Sequence, residues 1–354
     1  PAGGGGGNDL TVPTGSVTLD ADTTTYSVNL VNTGTTPASV ELSFQNSRMK
    51  GLSPDSGTEA SPTYVVDPDA GSRSITIKRD VVSGSSQAER VTFTSNQGNT
   101  QFLDFTLSPL NLHQGVRVLA NKDPFYEFKF AGNFTDTGSR DFGDLSTNGS
   151  PTATSDSSDR TGLVGYVDMT VNQSAFMNAS SIDINITSSP RTWIWTGKVN
   201  GTFSGNGVGH GIANSSAFTG GPFFLQYRGG ETIKWRNGSG WGTDPLYYGT
   251  SHSHTDGGAS VEMSSAVNTE ILIAYVHDGS NTITVRWKTL NGNTERTGHS
   301  FASATQSAKS PINTPQIVGW PFTSNFPMRH GHVSVVDYEL TSSEFTSLSE
   351  TVGM

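Results

Sequence analysis

Residues 270–287 read EILIAYVHDGSNTITVRW, and this stretch gives a strong local signal for strands in the larger part of the chain. Apolar residues alternate through it in two runs: Ile271, Ile273 and Tyr275, then Ile283, Val285 and Trp287. Asp278-Gly279 lies between the runs, and an Asp-Gly pair readily reaches the positive φ of a tight turn. Because a period of two places side chains on one face of a strand, the stretch predicts an antiparallel hairpin.

The composition extends this prediction to the whole chain. Only 15% of the 354 residues are charged and 32% are hydrophobic, while Gly alone contributes 41. Such a chain suits short strands joined by many turns better than helices. Its length is sufficient for two domains that each bury a core. We therefore expect an all-β protein with two domains.

The N-terminal part has the spacing of a small sandwich. Short alternating runs recur over residues 10–108, among them Val40, Leu42 and Phe44, and later Phe102, Phe105 and Leu107, which we interpret as one strand face each. The pattern resembles an immunoglobulin-like sandwich, although the chain has no Cys and its first Trp is Trp193. A fibronectin-like or other small sandwich fits as well. Residues 1–9 precede it as a Gly-rich arm.

A join and a larger domain follow the small sandwich. Pro109 and Pro124 bracket residues 109–124, which we interpret as a linker that could itself add a strand. Residues 125–354 are richer in aromatics and contain all six Trp. Their length suits one large sandwich.

Four patterns in this larger domain occur in an informative order. They are Tyr126–Asp136, the aromatic run Arg191–Trp195, the hairpin of residues 270–287, and Val333–Tyr338 followed by Thr341-Ser-Ser-Glu344. In this order they resemble a concanavalin A-like, laminin G-like jelly roll. Thr341 and Glu344 have the spacing of a capping box, and Phe345 and Leu348 share one face of the helical turn that follows. We expect Trp193, Trp195 and Trp287 to lie in the core.

Some relatives of this fold hydrolyse polysaccharides, but their catalytic pattern is missing from this sequence. Glucanases of this fold carry carboxylates two residues apart on one strand face, but no Glu in the chain is followed two positions later by Asp. We expect a protein that is not an enzyme and has no catalytic residues and no cofactor.

Two kinds of residue raise the question of a metal site. His252 with His254, and His330 with His332, are each two positions apart, which on a strand places both rings on one face. Laminin G-like folds often carry a calcium site, for which the candidates are Asp136, Asp141 and Asp144. Surface histidines and turn-capping aspartates explain these residues better, so we expect no metal ligands.

An aromatic segment provides the candidate binding site. Glycines surround it, which favours loops, and loops rarely bury several large rings. Such rings could stack on a glycan, close one end of the sandwich or pack on a partner subunit. The candidate ligand-binding residues are Trp235, Arg236, Asn237, Trp241, Asp244, Tyr247 and Tyr248.

Charge restricts the partners. The formal net charge is -10, so neither nucleic acid nor anionic membrane is a suitable partner. No apolar run approaches the ~18 residues of a membrane span, so we expect no membrane insertion.

These features lead to a functional hypothesis. We expect a non-catalytic virion structural protein, a capsid decoration or a fibre of a bacteriophage, located on the virion surface. It would be a homo-oligomer that contacts other virion or capsid subunits and a host surface glycan. The alternative is a secreted, extracellular bacterial protein that binds or degrades carbohydrate.

Overall fold

The computed structural model describes residues 10–141, 143–155, 162–169, 173–176, 189–199, 207–212, 223–228, 232–236, 246–248, 255–256, 259–260, 270–279, 282–289, 296–302, 316–318 and 328–354. Between residues 199 and 318 the description concerns mostly the backbone. The chain divides into two compact units, Pro1–Leu119 and Ala120–Met354. Strands dominate both units, which confirms the all-β prediction. The Gly-rich arm of residues 1–9 lies outside the described residues.

Ten strands and one helix lie in or at the end of the described part of the N-terminal unit. They are β1 (Leu10–Thr11), β2 (Gly15–Leu19), β3 (Thr25–Asn32), β4 (Ala38–Phe44), β5 (Met49–Gly51), β6 (Ser56–Thr58), β7 (Ser61–Val66), β8 (Gly71–Arg79), β9 (Gln87–Ser95), β10 (Thr100–Leu107) and α1 (Leu112–Ala120).

These strands form a sandwich of two sheets. One sheet has the order β1-β3-β8-β5 and the other β2-β10-β9-β4-β7-β6, with β2 parallel to β10 and the remaining pairs antiparallel. Side chains of both sheets meet in one core, among them Val28, Leu30, Ile75 and Ile77 from the first sheet and Val40, Leu42, Phe93 and Phe105 from the second. The apolar residues at every second position of these strands are thus the residues that face the core.

Strand β10 departs from the predicted face. Phe105 and Leu107 are buried, whereas Phe102 lies on the outer face and is 46% exposed. The grouping of Phe102 with Phe105 and Leu107 was wrong, because residues an odd number apart on a regular strand point to opposite faces.

The predicted linker contains a helix and no strand. Leu112, Val116 and Ala120 are buried and recur every four residues, which is the period of one helix face. His113 Nε2 lies 3.1 Å from Asp22 Oδ1, so the start of α1 is also held by a polar contact. The suggestion that residues 109–124 could add a strand was therefore wrong.

Arg79 connects the two sheets of the N-terminal sandwich. It ends β8 and is fully buried, and its Nη2 donates to the carbonyl oxygen of Ser108 at 2.8 Å. Ser108 follows β10 of the other sheet directly. Burial lowers the pKa of the Arg79 guanidinium to about 10. The contact fixes the chain where it leaves the last strand of the sandwich.

The described part of the C-terminal unit contains seventeen strands and the helix α2. They are β11 (Tyr126–Phe128), β12 (Ser146–Asn148), β13 (Thr152–Thr154), β14 (Tyr166–Met169), β15 (Ser174–Phe176), β16 (Pro190–Val199), β17 (Gly207–Ile212), β18 (Phe223–Arg228), β19 (Thr232–Arg236), β20 (Leu246–Tyr248), β21 (Thr255–Asp256), β22 (Ala259–Ser260), β23 (Glu270–Asp278), β24 (Thr282–Thr289), β25 (Arg296–Ala302), β26 (Gln316–Val318), β27 (Met328–Val336) and α2 (Ser342–Glu350).

Two large antiparallel sheets organise this unit. The eight-stranded sheet has the order β13-β14-β27-β16-β23-β24-β25, with β11 added beside β27. The seven-stranded sheet has the order β12-β15-β26-β17-β18-β19-β20. The hairpin predicted from residues 270–287 is β23 and β24, in which Tyr275 pairs with Val285. Gly279 has φ +80° in the turn between them, as the Asp-Gly pair predicted.

The central strand β16 is buried on both faces. Trp193 and Trp195 are 3% and 1% exposed on one face, and Ile194 is 1% exposed on the other. This confirms the core positions predicted for Trp193 and Trp195, while the side chain of Trp287 lies outside the described residues. The face of Ile194 is covered in part by the C-terminal segment, since the Leu340 amide donates to Thr192 Oγ1 at 3.2 Å.

The capping box of α2 is present as predicted. The Glu344 amide donates to Thr341 Oγ1 at 3.3 Å, and the Thr341 amide donates to Glu344 Oε2 at 2.8 Å. Phe345 and Leu348 are buried, so the predicted apolar face packs inward. The Tyr338 hydroxyl also donates to Glu344 Oε1.

The Tyr338–Glu344 hydrogen bond makes the stability of this segment depend on pH. Burial and the bond to Glu344 raise the pKa of Tyr338 to about 12. Because the neutral phenol is favoured in the folded state, its contribution is complete below pH 10 and is lost between pH 10 and 12. Between pH 10 and 12, we expect the melting temperature of the parent protein to fall by about 2–4 °C more than that of Tyr338→Phe. Thermal melts followed by circular dichroism measure both declines. Equal declines would contradict the role of this bond.

Candidate functional site

Four of the seven predicted binding residues lie on two neighbouring strands. Trp235 and Arg236 end β19, and Tyr247 and Tyr248 end β20. The prediction of loops was wrong for these four residues. The alternation in Thr232–Arg236 favours a strand, and the glycines lie outside it. Asn237, Trp241 and Asp244 lie outside the described residues.

The register divides these residues between the two faces of the sheet. Ile233 pairs with Tyr248, and Trp235 pairs with Leu246, so Trp235 and Tyr248 take positions on one face and Arg236 and Tyr247 take positions on the other. Neighbouring strands lie about 4.8 Å apart. On its other side β19 pairs with β18, where Leu225 is opposite Trp235. In the described part of the sheet, β20 is the last strand, which places the two tyrosines at an edge.

Such an edge can bind a ligand without catalysing a reaction on it. Aromatic residues supply large apolar area and, in Tyr and Trp, a polar group that can hydrogen-bond. Arg adds a planar donor group that suits hydroxyl and carboxylate oxygens. These residue types on neighbouring strands are suited to contact a sugar or a partner protein.

The histidine pair of β27 does not share a face. Thr196 pairs with His332, but Gly197 pairs with His330, so the register shifts and Gly331 is the extra residue. Because cross-strand partners share a face, His330 lies on the face of Trp195 and His332 on the face of Thr196. The one-face arrangement considered for metal binding was therefore wrong for this pair. His252 and His254 lie outside the described residues.

His330 makes a buried contact with Trp195. It is fully buried, and Trp195 Nε1 donates to its Nδ1 at 3.0 Å. The two rings meet edge to face at a centroid distance of 5.8 Å. Since Nδ1 accepts this bond, it carries no proton, and the imidazole is held in one tautomer. Both histidines are buried, so the interpretation as surface residues was also wrong for them.

The three candidate calcium ligands behave as turn residues. Asp136 is buried, and its Oδ1 accepts from the amides of Glu127 and Gly138, both at 2.8 Å. Asp144 is exposed and accepts from the Thr135 hydroxyl, while Asp141 has φ +46° in the turn. Within the described ranges, no three His, Cys, Asp or Glu side chains are close enough together to hold a metal ion.

The buried carboxylate of Glu127 lies in a structural contact. Its Oε2 accepts from the Thr137 hydroxyl at 2.7 Å and lies 3.4 Å from Lys129 Nζ. These contacts hold β11 against the turn that follows it.

No helix in the described part of the chain is long and apolar enough to cross a membrane.

No protein family matches this sequence, and no curated protein matches it either. Solved structures with local likeness include a botulinum neurotoxin serotype D binding domain, with 9% identity, 66% of this chain, 52% of that chain and a TM-score of 0.42. A botulinum neurotoxin type G receptor binding domain has 12% identity, 65% and 51% coverage and a TM-score of 0.38. A carbohydrate esterase from the Shiga toxin-encoding bacteriophage phi24B has 16% identity, 61% and 99% coverage and a TM-score of 0.36.

These likenesses are weak. A chaperone and tip adhesion subunit complex from Acinetobacter baumannii matches 28% of this chain at a TM-score of 0.22. The chain spans about half the length of the first structures that it matches. All these TM-scores lie below 0.5, so no functional argument follows from them.

Proposed function

We propose that the chain is a non-catalytic binding protein that contacts a glycan through β19 and the edge strand β20. One observation carries the proposal: Trp235 and Tyr248 take positions on one face of two neighbouring strands at a sheet edge, and Arg236 and Tyr247 take positions on the other face of the same strands. The net charge of -10 favours a neutral glycan over an anionic one. We also assign Trp241 and Asp244 to this proposed site, because they lie between these strands in the sequence.

The wider role that fits this binding is adhesion. We propose that the chain is a virion structural protein, a capsid decoration or a fibre, whose larger domain is a concanavalin A-like jelly roll that faces the host. Two sandwiches in one chain suit this role because one can hold the particle while the other presents its edge. The proposed partners are other subunits of the particle, further copies of this chain and a host surface glycan.

A substitution at the proposed site tests glycan binding. We expect Trp241→Ala to weaken binding on an array of neutral glycans about two- to tenfold, because an aromatic contact contributes about 0.5–1.5 kcal/mol beyond the area that it buries. Val65→Ala, at an exposed position in the other unit, is the matched control on the same array. Unchanged binding by Trp241→Ala would contradict the site.

The size of the native protein tests the adhesion role. We expect light scattering to report a homo-oligomer, and electron micrographs of the native source to show the protein on particles. A monomer that is found free and changes its Trp fluorescence with sugar would favour a secreted carbohydrate-binding protein instead.

A further inference from the structure

The outer face of the six-stranded sheet in the N-terminal sandwich carries an exposed aromatic ring. Among the described residues, the large hydrophobic side chains that are exposed are Phe102 at 46% and Val65 at 40%. Both lie on this face, on strands β10 and β7. They are three strands apart in the sheet order, so each is a separate feature.

Phe102 lies beside an ion pair that is built across two strands. Arg90 Nε donates to Asp104 Oδ1 at 2.6 Å, and Arg90 Nη2 donates to Asp104 Oδ2 at 3.0 Å. The Arg90 Cζ lies 5.3 Å from the centroid of the Phe102 ring. Asp104 engages one edge of the guanidinium and does not engage Nη1. The ring, Nη1 and the carboxylate are therefore held next to one another.

This arrangement adds little to folding. The Arg90 and Asp104 side chains are 48% and 45% exposed, and exposed pairs contribute little to stability. An exposed Phe gains little from burial in this state. We therefore expect replacement of these three residues to leave the fold intact, and their exposure leaves them accessible to another molecule.

The surroundings indicate a neutral, hydroxyl-bearing partner. Phe102 pairs with Thr92, which pairs with Ser43, and Asp104 pairs with Ser16. These neighbours present hydroxyl groups and no charge. Arg90 and Asp104 neutralise each other, and their hydrogen bonds raise the pKa of the one and lower the pKa of the other. An anionic or cationic ligand would have to compete with this pair.

We propose that Phe102, Arg90 and Asp104 form a second glycan contact, which takes a hexose unit of a neutral polysaccharide. The apolar C–H face of the sugar stacks on the Phe102 ring. Its hydroxyls accept from Arg90 Nη1 and donate to the carboxylate of Asp104. Because the three side chains are exposed on the face of a sheet, the contact suits a point along a polymer better than a chain end. The contact lies in the N-terminal unit and is independent of the site on β19 and β20.

Retention on insoluble polysaccharides tests this contact. The probes are cellulose, chitin and starch granules, and the protein is the full chain with Trp241→Ala, so that the edge site is weakened. We expect this protein to be retained on at least one probe, and the addition of Phe102→Ala to weaken retention about tenfold. Addition of Val65→Ala, on the same face, is the matched control and should change nothing.

The outcomes separate the two sites. Loss of retention with Phe102→Ala but not with Val65→Ala supports the second contact. Absence of retention on all three probes, or an equal effect of the two substitutions, overturns it. Failure of the site on β19 and β20 is recognised separately, because Trp241→Ala alone would then bind neutral glycans as the parent protein does.

Discussion

Replacement of Trp195 by Ala is expected to lower the free energy of unfolding of the C-terminal unit by about 3–5 kcal/mol. Trp195 is 1% exposed on β16, which pairs with β27 on one side and β23 on the other. The substitution removes a large buried ring between these strands and the donor to His330 Nδ1. Because the neighbouring strands are fixed by their ladders, they can fill the resulting cavity only in part.

Urea denaturation combined with hydrogen exchange of peptides from β16 and β27 measures this loss in the C-terminal unit alone. Trp195→Phe is the matched control, since it keeps a six-membered aromatic ring and removes the pyrrole part of the indole with its N–H donor. We expect it to cost about 1–3 kcal/mol. A loss below ~1 kcal/mol for Trp195→Ala would show that the Trp195–His330 contact does not organise the sheet.

Replacement of Glu89 by Gln is expected to destabilise the N-terminal sandwich by about 2–4 kcal/mol. Glu89 is 2% exposed, and its Oε1 accepts from the amides of Asn46 and Arg90 at 2.8 and 3.1 Å. Its Oε2 accepts from the Arg48 amide at 2.7 Å. Gln keeps the shape of the side chain but turns one acceptor into a donor that faces backbone N–H groups.

The same denaturation experiment, followed on peptides from β4, β5 and β9, measures the effect. The matched control is Glu41→Gln, because Glu41 lies on β4 with its side chain exposed. We expect that control to change the free energy of unfolding by less than about 0.5 kcal/mol. Similar effects of the two substitutions would mean that the buried carboxylate does not hold residues 45–48 in place.

Local patterns predicted much of this fold. The hairpin of β23 and β24 follows from alternation and one Asp-Gly turn, and the cap of α2 follows from the spacing of Thr341 and Glu344. Both depend on residues that are close in sequence, so the physical cause is contained in the pattern itself. The helix α1 could have been predicted in the same way, from its four-residue period.

Some features of the fold could not be predicted because they depend on pairing between strands that are far apart in the sequence. His330 and His332 are two positions apart and would share a face on a regular strand, but the bulge at Gly331 separates them. Such a bulge depends on the partner strand β16, which is more than a hundred residues away in the sequence. The outward position of Phe102, in contrast, could have been predicted from the sequence. Phe102 and Phe105 are three residues apart and therefore point to opposite faces of a regular strand.

The candidate site was predicted in part for the wrong reason. Four of its residues lie on strands, although the surrounding glycines favoured loops. A strand gives these residues a defined neighbour, which a flexible loop would not. The binding residues proposed at Phe102 were missed because a single Phe in a strand pattern is assigned to the core unless the register of the strand is followed.

We propose that this chain binds a neutral glycan and leaves it unaltered. The most direct measurement incubates the full chain with a neutral oligosaccharide that it retains and then determines the mass of the recovered sugar. We expect the bound oligosaccharide to be recovered with its original mass. Recovery of shortened or deacylated sugar, or retention of no neutral oligosaccharide at all, would contradict the claim.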